Sequence, residues 1–175
     1  MKPNEFMLGL ENILREIPIP QNINSELDLE HILLPHIKNY LKESLQVKQQ
    51  ELKTAVYAHG EDEEGKRLWT KSKPYQTVTA FGCTMAADIF IRHENIGTVF
   101  IEVKLAKPRK SGGDSFPGGL QRAIGQTVIA SMKHKCAICY IATPKRPTYE
   151  NDIADKLIKT IREKLGILVI VKEYE

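Results

Sequence analysis

Two carboxylates and one lysine stand in apolar segments of the sequence, where charged residues are uncommon. Glu102 and Lys104 are separated by one residue within segment 97–105, and Asp88 lies within segment 87–91. Because side chains alternate along a strand, Glu102 and Lys104 are predicted to share one face. If the two strands pair, Asp88 and Glu102 converge at one end of the sheet and repel unless a cation lies between them. Mg²⁺ suits such a site, because it prefers oxygen ligands and keeps positions for water and phosphate.

The Glu-x-Lys spacing has little meaning outside a strand. It occurs also at Glu51-Leu52-Lys53 and Glu64-Gly65-Lys66, both in polar segments where a solvated ion pair explains it. Only the pair at 102 and 104 follows an acidic residue in an apolar strand pattern. A sheet-edge ion pair, worth at most about 1 kcal/mol, would produce the same spacing. The spacing alone therefore leaves both interpretations open.

Segments 87–91, 100–105 and 121–126 together resemble the PD-(D/E)XK nuclease superfamily, which has the restriction-endonuclease-like fold. The resemblance covers about residues 24 to 143, and it implies a three-layer α/β core with a central mixed sheet flanked by helices. By this resemblance, Asp88, Glu102 and the main-chain carbonyl of Val103 bind Mg²⁺, for which Mn²⁺ can substitute. Lys104 then positions or activates the attacking water.

The resemblance also implies further catalytic residues on two helices. Members often carry an acid on an early helix, and Glu30 matches it because it lies on the apolar stripe, with Glu26 as the second choice. Many members place a glutamine on the helix after the Glu-x-Lys strand, where Gln126 fits first and Gln121 second. A boundary carboxylate and an ordinary helix surface are the alternatives. Ala87 stands where the motif has proline.

A basic segment after the Glu-x-Lys strand predicts DNA as the partner. Lys107, Arg109 and Lys110 follow one another without an intervening acid, and Arg122 lies near the start of the next helix. The net charge of the chain is only +3, so nucleic-acid binding requires a local basic patch of this kind. A solvated run of charge is the alternative explanation.

The elements that must position these residues follow the order α-β-β-β-α-β-α-β, in one domain spanning 1–175. Residues 1–22 are predicted to form an N-terminal helix and linker, and 46–77 a hairpin arm with strands at 55–59 and 67–70. We predict helices over about 5–15, 120–133 and 149–165, and a further helix that begins after a cap at Asn24 or Ser25. We predict strands over 77–81, 87–91, 97–105, 136–142 and 167–171. Pro35 should kink or split the second helix, and Gly166 should end the last one.

Composition limits the class of protein. The 175 residues are 42% apolar and 27% charged, which excludes a fibrous chain, a disulfide scaffold and a disordered tail. The sequence shows no secretory signal and no apolar run long enough to span a membrane. It contains only three cysteines. We therefore expect a reducing, cytoplasmic environment and no membrane partner.

A second grouping of metal-ligand residue types is less convincing. His134, Cys136 and Cys139 have metal-like spacing, with Cys83 as a fourth candidate. Residues an odd number apart in a strand point to opposite faces, so buried structural thiols are favoured. Three cysteines are also too few for an iron–sulfur cluster held by four.

The favoured hypothesis is a Mg²⁺-dependent deoxyribonuclease, an endonuclease that hydrolyses phosphodiester bonds with a metal-activated water. A homodimer is plausible, because cutting two strands with one site each needs two copies. No nucleotide cofactor is expected, since the glycine-rich segment 112–119 lacks the lysine of a P-loop. The alternative is a catalytically inactive nucleic-acid-binding or assembly module on the same fold.

Overall fold

The computed structural model describes residues 2–58, 77–80, 83–106, 116–144 and 148–174. Its helices are α1 (Pro3–Glu16), α2 (Glu26–Leu45), α3 (Gln49–Ala55), α4 (Phe116–Ser131) and α5 (Thr148–Leu165). Its strands are β1 (Val56–Ala58), β2 (Thr77–Ala80), β3 (Cys83–Ala86), β4 (Ile89–His93), β5 (Gly97–Leu105), β6 (Cys136–Pro144) and β7 (Leu168–Tyr174). Among the helices in these ranges, none combines the length and apolar character needed to cross a membrane.

Five strands form one mixed sheet in the order β1-β4-β5-β6-β7. The pairs β1–β4 and β4–β5 are antiparallel, whereas β5–β6 and β6–β7 are parallel. Parallel neighbours need a crossover connection, and the chain segments that contain α4 and α5 supply the two crossovers. Strands β2 and β3 pair separately as a two-stranded antiparallel ribbon. The protein is therefore a mixed α/β structure.

Successive residues of β5 lie on opposite faces of the sheet, and both faces are buried. Ile101, Val103 and Leu105 pack in one cluster with apolar residues of α1 and α2, such as Leu10 and Leu33. On the other face, α4 and α5 pack against the sheet through two smaller clusters. Helices thus cover both faces, and each face is closed by apolar burial, the main favourable term in folding.

Two contacts join the N-terminal helix to the C-terminal elements. Glu11 is buried in α1, and its Oε1 accepts hydrogen bonds from Arg15 at 2.9 Å and from Arg162 of α5 at 3.1 Å. Lys172 of β7 donates from Nζ to the main-chain carbonyl of Arg15 at 2.8 Å. A buried carboxylate needs such partners, so the pair of arginines stabilises its charge.

Most of the predicted elements are confirmed. Strand β5 has the predicted bounds, and the helices predicted over 5–15, 120–133 and 149–165 correspond to α1, α4 and α5 with ends that differ by a few residues. Ser25 caps α2, because its side chain accepts a hydrogen bond of 3.0 Å from the main-chain N–H of Asp28. Gly166 follows α5 with a φ of +66°, a left-handed conformation that glycine adopts without strain.

Pro35 does not split α2, and that part of the prediction is wrong. The helix continues from Glu26 to Leu45 with the proline inside it. Pro35 and His31, whose carbonyl loses its usual donor, are both exposed, so water can serve that carbonyl. Leu33 and Ile37 are fully buried on either side of the proline, and their packing favours one continuous helix.

The predicted element order is incomplete, since it lacks α3, β1 and β3. The first strand of the predicted hairpin arm is present as β1, but Val56 pairs with Ile91 of β4 within the main sheet. The second predicted strand, 67–70, lies outside the described residues. The missing elements are short, three to seven residues, so hydrophobic periodicity had little length over which to indicate them.

Candidate active site

Asp88 and Glu102 meet where the β4–β5 ladder ends. The last antiparallel pair is Ile89 with Ile101, so the next position along the ladder sets Asp88 opposite Glu102. Asp88 itself precedes β4, and its Oδ2 accepts a hydrogen bond of 2.7 Å from the main-chain N–H of Val103. The carboxylate thus takes the place of a main-chain acceptor that β4 no longer supplies.

The same hydrogen bond indicates the direction of the Val103 carbonyl. In a strand, the N–H and C=O of one residue point toward the same neighbouring strand. The N–H of Val103 points to Asp88, so its carbonyl also faces the end of β4. A side-chain carboxylate and a main-chain oxygen therefore occupy the same side of β5.

Glu102 is a buried carboxyl group, with only 5% of its surface exposed. Burial, and after it the negative charge of Asp88, raise the pKa of Glu102 to about 8, while the positive charges of Lys104 and Arg122 lower it. In the parallel pair β5–β6, Cys139 is the register partner of Glu102. At neutral pH and with no other cation nearby, the Glu102 carboxyl is therefore mainly protonated.

Lys104 lies on the same face of β5 as Glu102, as the strand period predicts. Its Nζ is 2.7 Å from Oε1 of Glu26, and the two side chains are 24% and 40% exposed. Glu26 is in the first turn of α2, and its charge also raises the pKa of Glu102. Glu30, the first choice for the helix acid, is one turn further along and only 2% exposed. Of these two glutamates, Glu26 is the one that forms the ion pair with Lys104.

Helix α4 contributes a cation and the predicted glutamines. Arg122 is exposed, yet its charge lowers the pKa of Glu102, so it lies within electrostatic range of the carboxyl group. Gln126 is half-buried one turn after Arg122, and Gln121 is exposed. The other predicted DNA-binding residues, Lys107, Arg109 and Lys110, lie outside the described residues.

Asp88, Glu102 and the Val103 carbonyl supply oxygen atoms, the ligand type that a hard cation such as Mg²⁺ prefers. Within the described ranges, no three or more His, Cys, Asp and Glu side chains are grouped so as to hold a metal ion. Mg²⁺ does not require such a group, because one or two carboxylates and several waters suffice. Burial, and after it the charge of Asp88, raise the pKa of Glu102, so a cation beside the two carboxyl groups would favour the ionised form of Glu102.

The cysteines of β6 do not share a surface. Cys139 is fully buried on the α4–α5 side with Ala123 and Ile141, whereas Cys136 packs against the cluster on the opposite side. The predicted opposite orientation of the two thiols is therefore confirmed. Burial raises the pKa of Cys139 to about 12, which makes it an unreactive thiol at neutral pH.

Comparison with known proteins finds no matching family model, no matching curated protein and no matching solved structure. The site therefore has to be interpreted from its own geometry. That geometry brings together Asp88, Glu102 and Lys104, adds Arg122 in electrostatic range, and adds Glu26 in direct contact with Lys104. Glu26 is only the second choice for the helix acid in the sequence, one turn before Glu30, and its contact with Lys104 is seen only in the structure.

Proposed function

We propose that the protein is a Mg²⁺-dependent nuclease that hydrolyses phosphodiester bonds of DNA. The observation that carries the proposal is the convergence of the Asp88 and Glu102 carboxyl groups at the end of the β4–β5 ladder, with Lys104 on the Glu102 face. Asp88, Glu102 and the Val103 carbonyl would hold the metal ion, and Mn²⁺ could replace Mg²⁺.

The topology of the sheet supports assignment to the restriction-endonuclease-like fold. An antiparallel unit, β1-β4-β5, continues through a helical crossover into the parallel strand β6, and helices cover both faces. The candidate residues lie on β5 and at the start of β4, the two strands at the centre of this arrangement. The fold alone would host many functions, so the charged residues carry the functional argument.

The side chains have separable tasks in this proposal. When bound, Mg²⁺ would lower the pKa of a water molecule and offset charge on the phosphate. Asp88 is held by the N–H of Val103, which fixes one carboxylate before any ligand arrives. Glu102 must give up its proton to act as a ligand, because its pKa is raised to about 8. Lys104 can orient the water or balance charge on a phosphate oxygen through its ammonium group.

DNA is the proposed substrate because cations accompany the acids. Arg122 of α4 is exposed beside the site, and Lys107, Arg109 and Lys110 add positive charge in the intervening sequence. Contacts of this kind bind the phosphate backbone without reading base sequence. A homodimer would allow cleavage of both strands, and the free thiols Cys136 and Cys139 suit a reducing cytoplasmic environment.

The decisive experiment compares cleavage by the wild type and by a Glu102→Ala/Lys104→Ala variant. Supercoiled, linear, single-stranded and branched DNA are incubated with Mg²⁺, Mn²⁺ or EDTA. We expect metal-dependent cleavage by the wild type and none by the variant. Glu51→Ala/Lys53→Ala is the matched control, because it removes the same spacing from exposed positions of α3 and should keep full activity. Equal cleavage by the first variant and the wild type would rule out this site.

The alternative function gives a different result in the same assay. An inactive binding or assembly module would bind DNA in every buffer and cleave none of the substrates. Its affinity would fall with salt through the phosphate contacts and would not depend on Asp88 or Glu102. Metal-dependent cleavage that requires these two acids would exclude it.

A further inference from the structure

The ion pair between Lys104 and Glu26 joins two layers of the protein. Lys104 is on β5, in the central sheet, and Glu26 is in the first turn of α2, which packs on the sheet. The nitrogen and oxygen atoms are 2.7 Å apart. The lysine side chain is 24% exposed and the glutamate side chain 40% exposed, so the pair lies where the sheet meets solvent.

A lysine at this point needs a partner if its nitrogen is to have a fixed place. Its four-carbon stem has many rotamers, and its ammonium group has no preferred plane of hydrogen bonding. Glu102 is two residues away on the same strand, but the ion pair of the ammonium group is with Oε1 of Glu26, at 2.7 Å. Glu26 therefore supplies the direct contact that holds the ammonium group.

The position of Glu26 is itself fixed by the start of α2. Ser25 accepts a hydrogen bond from the N–H of Asp28, and the Asp28 carboxylate accepts one from the N–H of Asn24. These two bonds define where the helix begins. Glu26, which lies between these residues in the chain, therefore stands in the first turn of a helix with a defined start, and its contact with β5 is the ion pair with Lys104.

We propose that Glu26 is a positioning residue, which holds the Lys104 ammonium group beside the metal-binding carboxylates and does not bind the metal itself. This inference rests on the nuclease function proposed above. The carboxylate of Glu26 contacts the lysine nitrogen at 2.7 Å, so its negative charge is already matched by a protein cation.

The kinetic test separates positioning from metal binding. Glu26→Gln should lower kcat by about 10- to 100-fold, the effect expected from a misplaced catalytic group. It should leave the Mg²⁺ concentration for half-maximal activity within about twofold of the wild type, because no ligand is lost. Asp88→Asn, by contrast, should raise that concentration strongly. Glu43→Gln, an exposed glutamate on the same helix, is the matched control and should change neither quantity.

A second measurement does not require activity. In metal-free protein labelled with ¹⁵N, the ammonium protons of Lys104 should give a cross-peak, since hydrogen bonding slows their exchange with water. The peak is assigned by its loss in Lys104→Arg. It should disappear in Glu26→Gln and persist in Glu43→Gln.

The two measurements fail in different ways. Suppose that the wild type cleaves no DNA, but the Lys104 peak is lost in Glu26→Gln and kept in Glu43→Gln. This result would refute the nuclease function and support the contact between Glu26 and Lys104. An unchanged peak in Glu26→Gln would overturn the inference. So would a large rise in the Mg²⁺ requirement of Glu26→Gln, which would make Glu26 a ligand.

Discussion

The Oδ2 atom of Asp88 lies 2.7 Å from the main-chain nitrogen of Val103. In a longer ladder that N–H would donate to the backbone of β4, but β4 begins only at Ile89. One carboxylate therefore completes the hydrogen bonding of β5 and also places a negative charge opposite Glu102. The two acids of the candidate site lie at the end of the sheet, and the ionisation of Glu102 is coupled to the stability of the fold.

Glu102→Gln should stabilise the protein at high pH in metal-free buffer. The pKa of Glu102 is about 8 in the folded state, against an ordinary value of 4.5. Below pH 4.5 both states are protonated and the group contributes nothing. Between pH 4.5 and 8 the unfolded chain releases the proton that the folded chain keeps, so stability falls as pH rises. The difference amounts to several kcal/mol above pH 8.

The measurement is urea denaturation of the wild type and Glu102→Gln in EDTA at pH 5 and pH 9. We expect the variant to gain more over the wild type at pH 9 than at pH 5. A gain of equal size at both values would show that Glu102 ionises normally in the folded state.

His134 should make the protein sensitive to acid. It is buried, with Nδ1 3.3 Å from Thr98 Oγ1 and its ring stacked on Phe100, and burial followed by the charge of Lys133 lowers its pKa to about 4 from 6.5. The stabilisation is complete above pH 6.5 and is lost as pH falls toward 4, because the unfolded chain binds the proton first. The Tm of the wild type minus the Tm of His134→Gln, measured by thermal unfolding, should be larger at pH 7 than at pH 4.5. A constant difference would contradict this account.

Tyr140→Phe should raise the free energy of unfolding by about 1 to 2 kcal/mol. The Tyr140 hydroxyl is fully buried, and no hydrogen-bond partner for it is found in the described part of the chain. The substitution removes an unsatisfied polar group and leaves the ring packed. Tyr40→Phe is the control, since the Tyr40 hydroxyl donates to the carbonyl of Phe6 at 3.0 Å and its removal should be destabilising. Chemical denaturation measures both, and a loss of stability in Tyr140→Phe would show that its hydroxyl is hydrogen-bonded.

Gly9→Ala should destabilise the contact between α1 and α2. A Cβ at position 9 would lie 2.8 Å from Cζ of Tyr40, closer than real Cβ contacts allow. Gly125→Ala in α4 is the matched change, because nothing lies within 4 Å of its added Cβ. Alanine is the better helix former by about 1 kcal/mol, so Gly125→Ala should raise Tm and Gly9→Ala should lower it. Equal shifts of Tm in both variants would mean that Tyr40 moves aside at no cost.

Periodicity was sufficient for the parts of the site that lie on one strand. The alternation along β5 predicts that Glu102 and Lys104 share a face, and the structure confirms it. The partner of Lys104 could not be decided in the same way. Glu26 and Glu30 are one helical turn apart on α2, and the choice depends on how that helix crosses β5, which is a property of packing between layers. Likewise, β1 has only three residues, and it is a strand of the sheet because it pairs with the edge of β4.

The bonds from α1 to α5 and β7 bear on the order in which the chain folds. They join residues separated by 151 positions, Glu11 and Arg162, and by 157 positions, Arg15 and Lys172. Contacts of such long range form late, since a large loop must close before they stabilise anything. At about 5 to 20 residues per second, the ribosome needs on the order of ten seconds between making α1 and making β7. During that interval α1 can pack on α2 but lacks its partners in β7, so a nascent chain stalled before β7 should be prone to chaperone binding and aggregation.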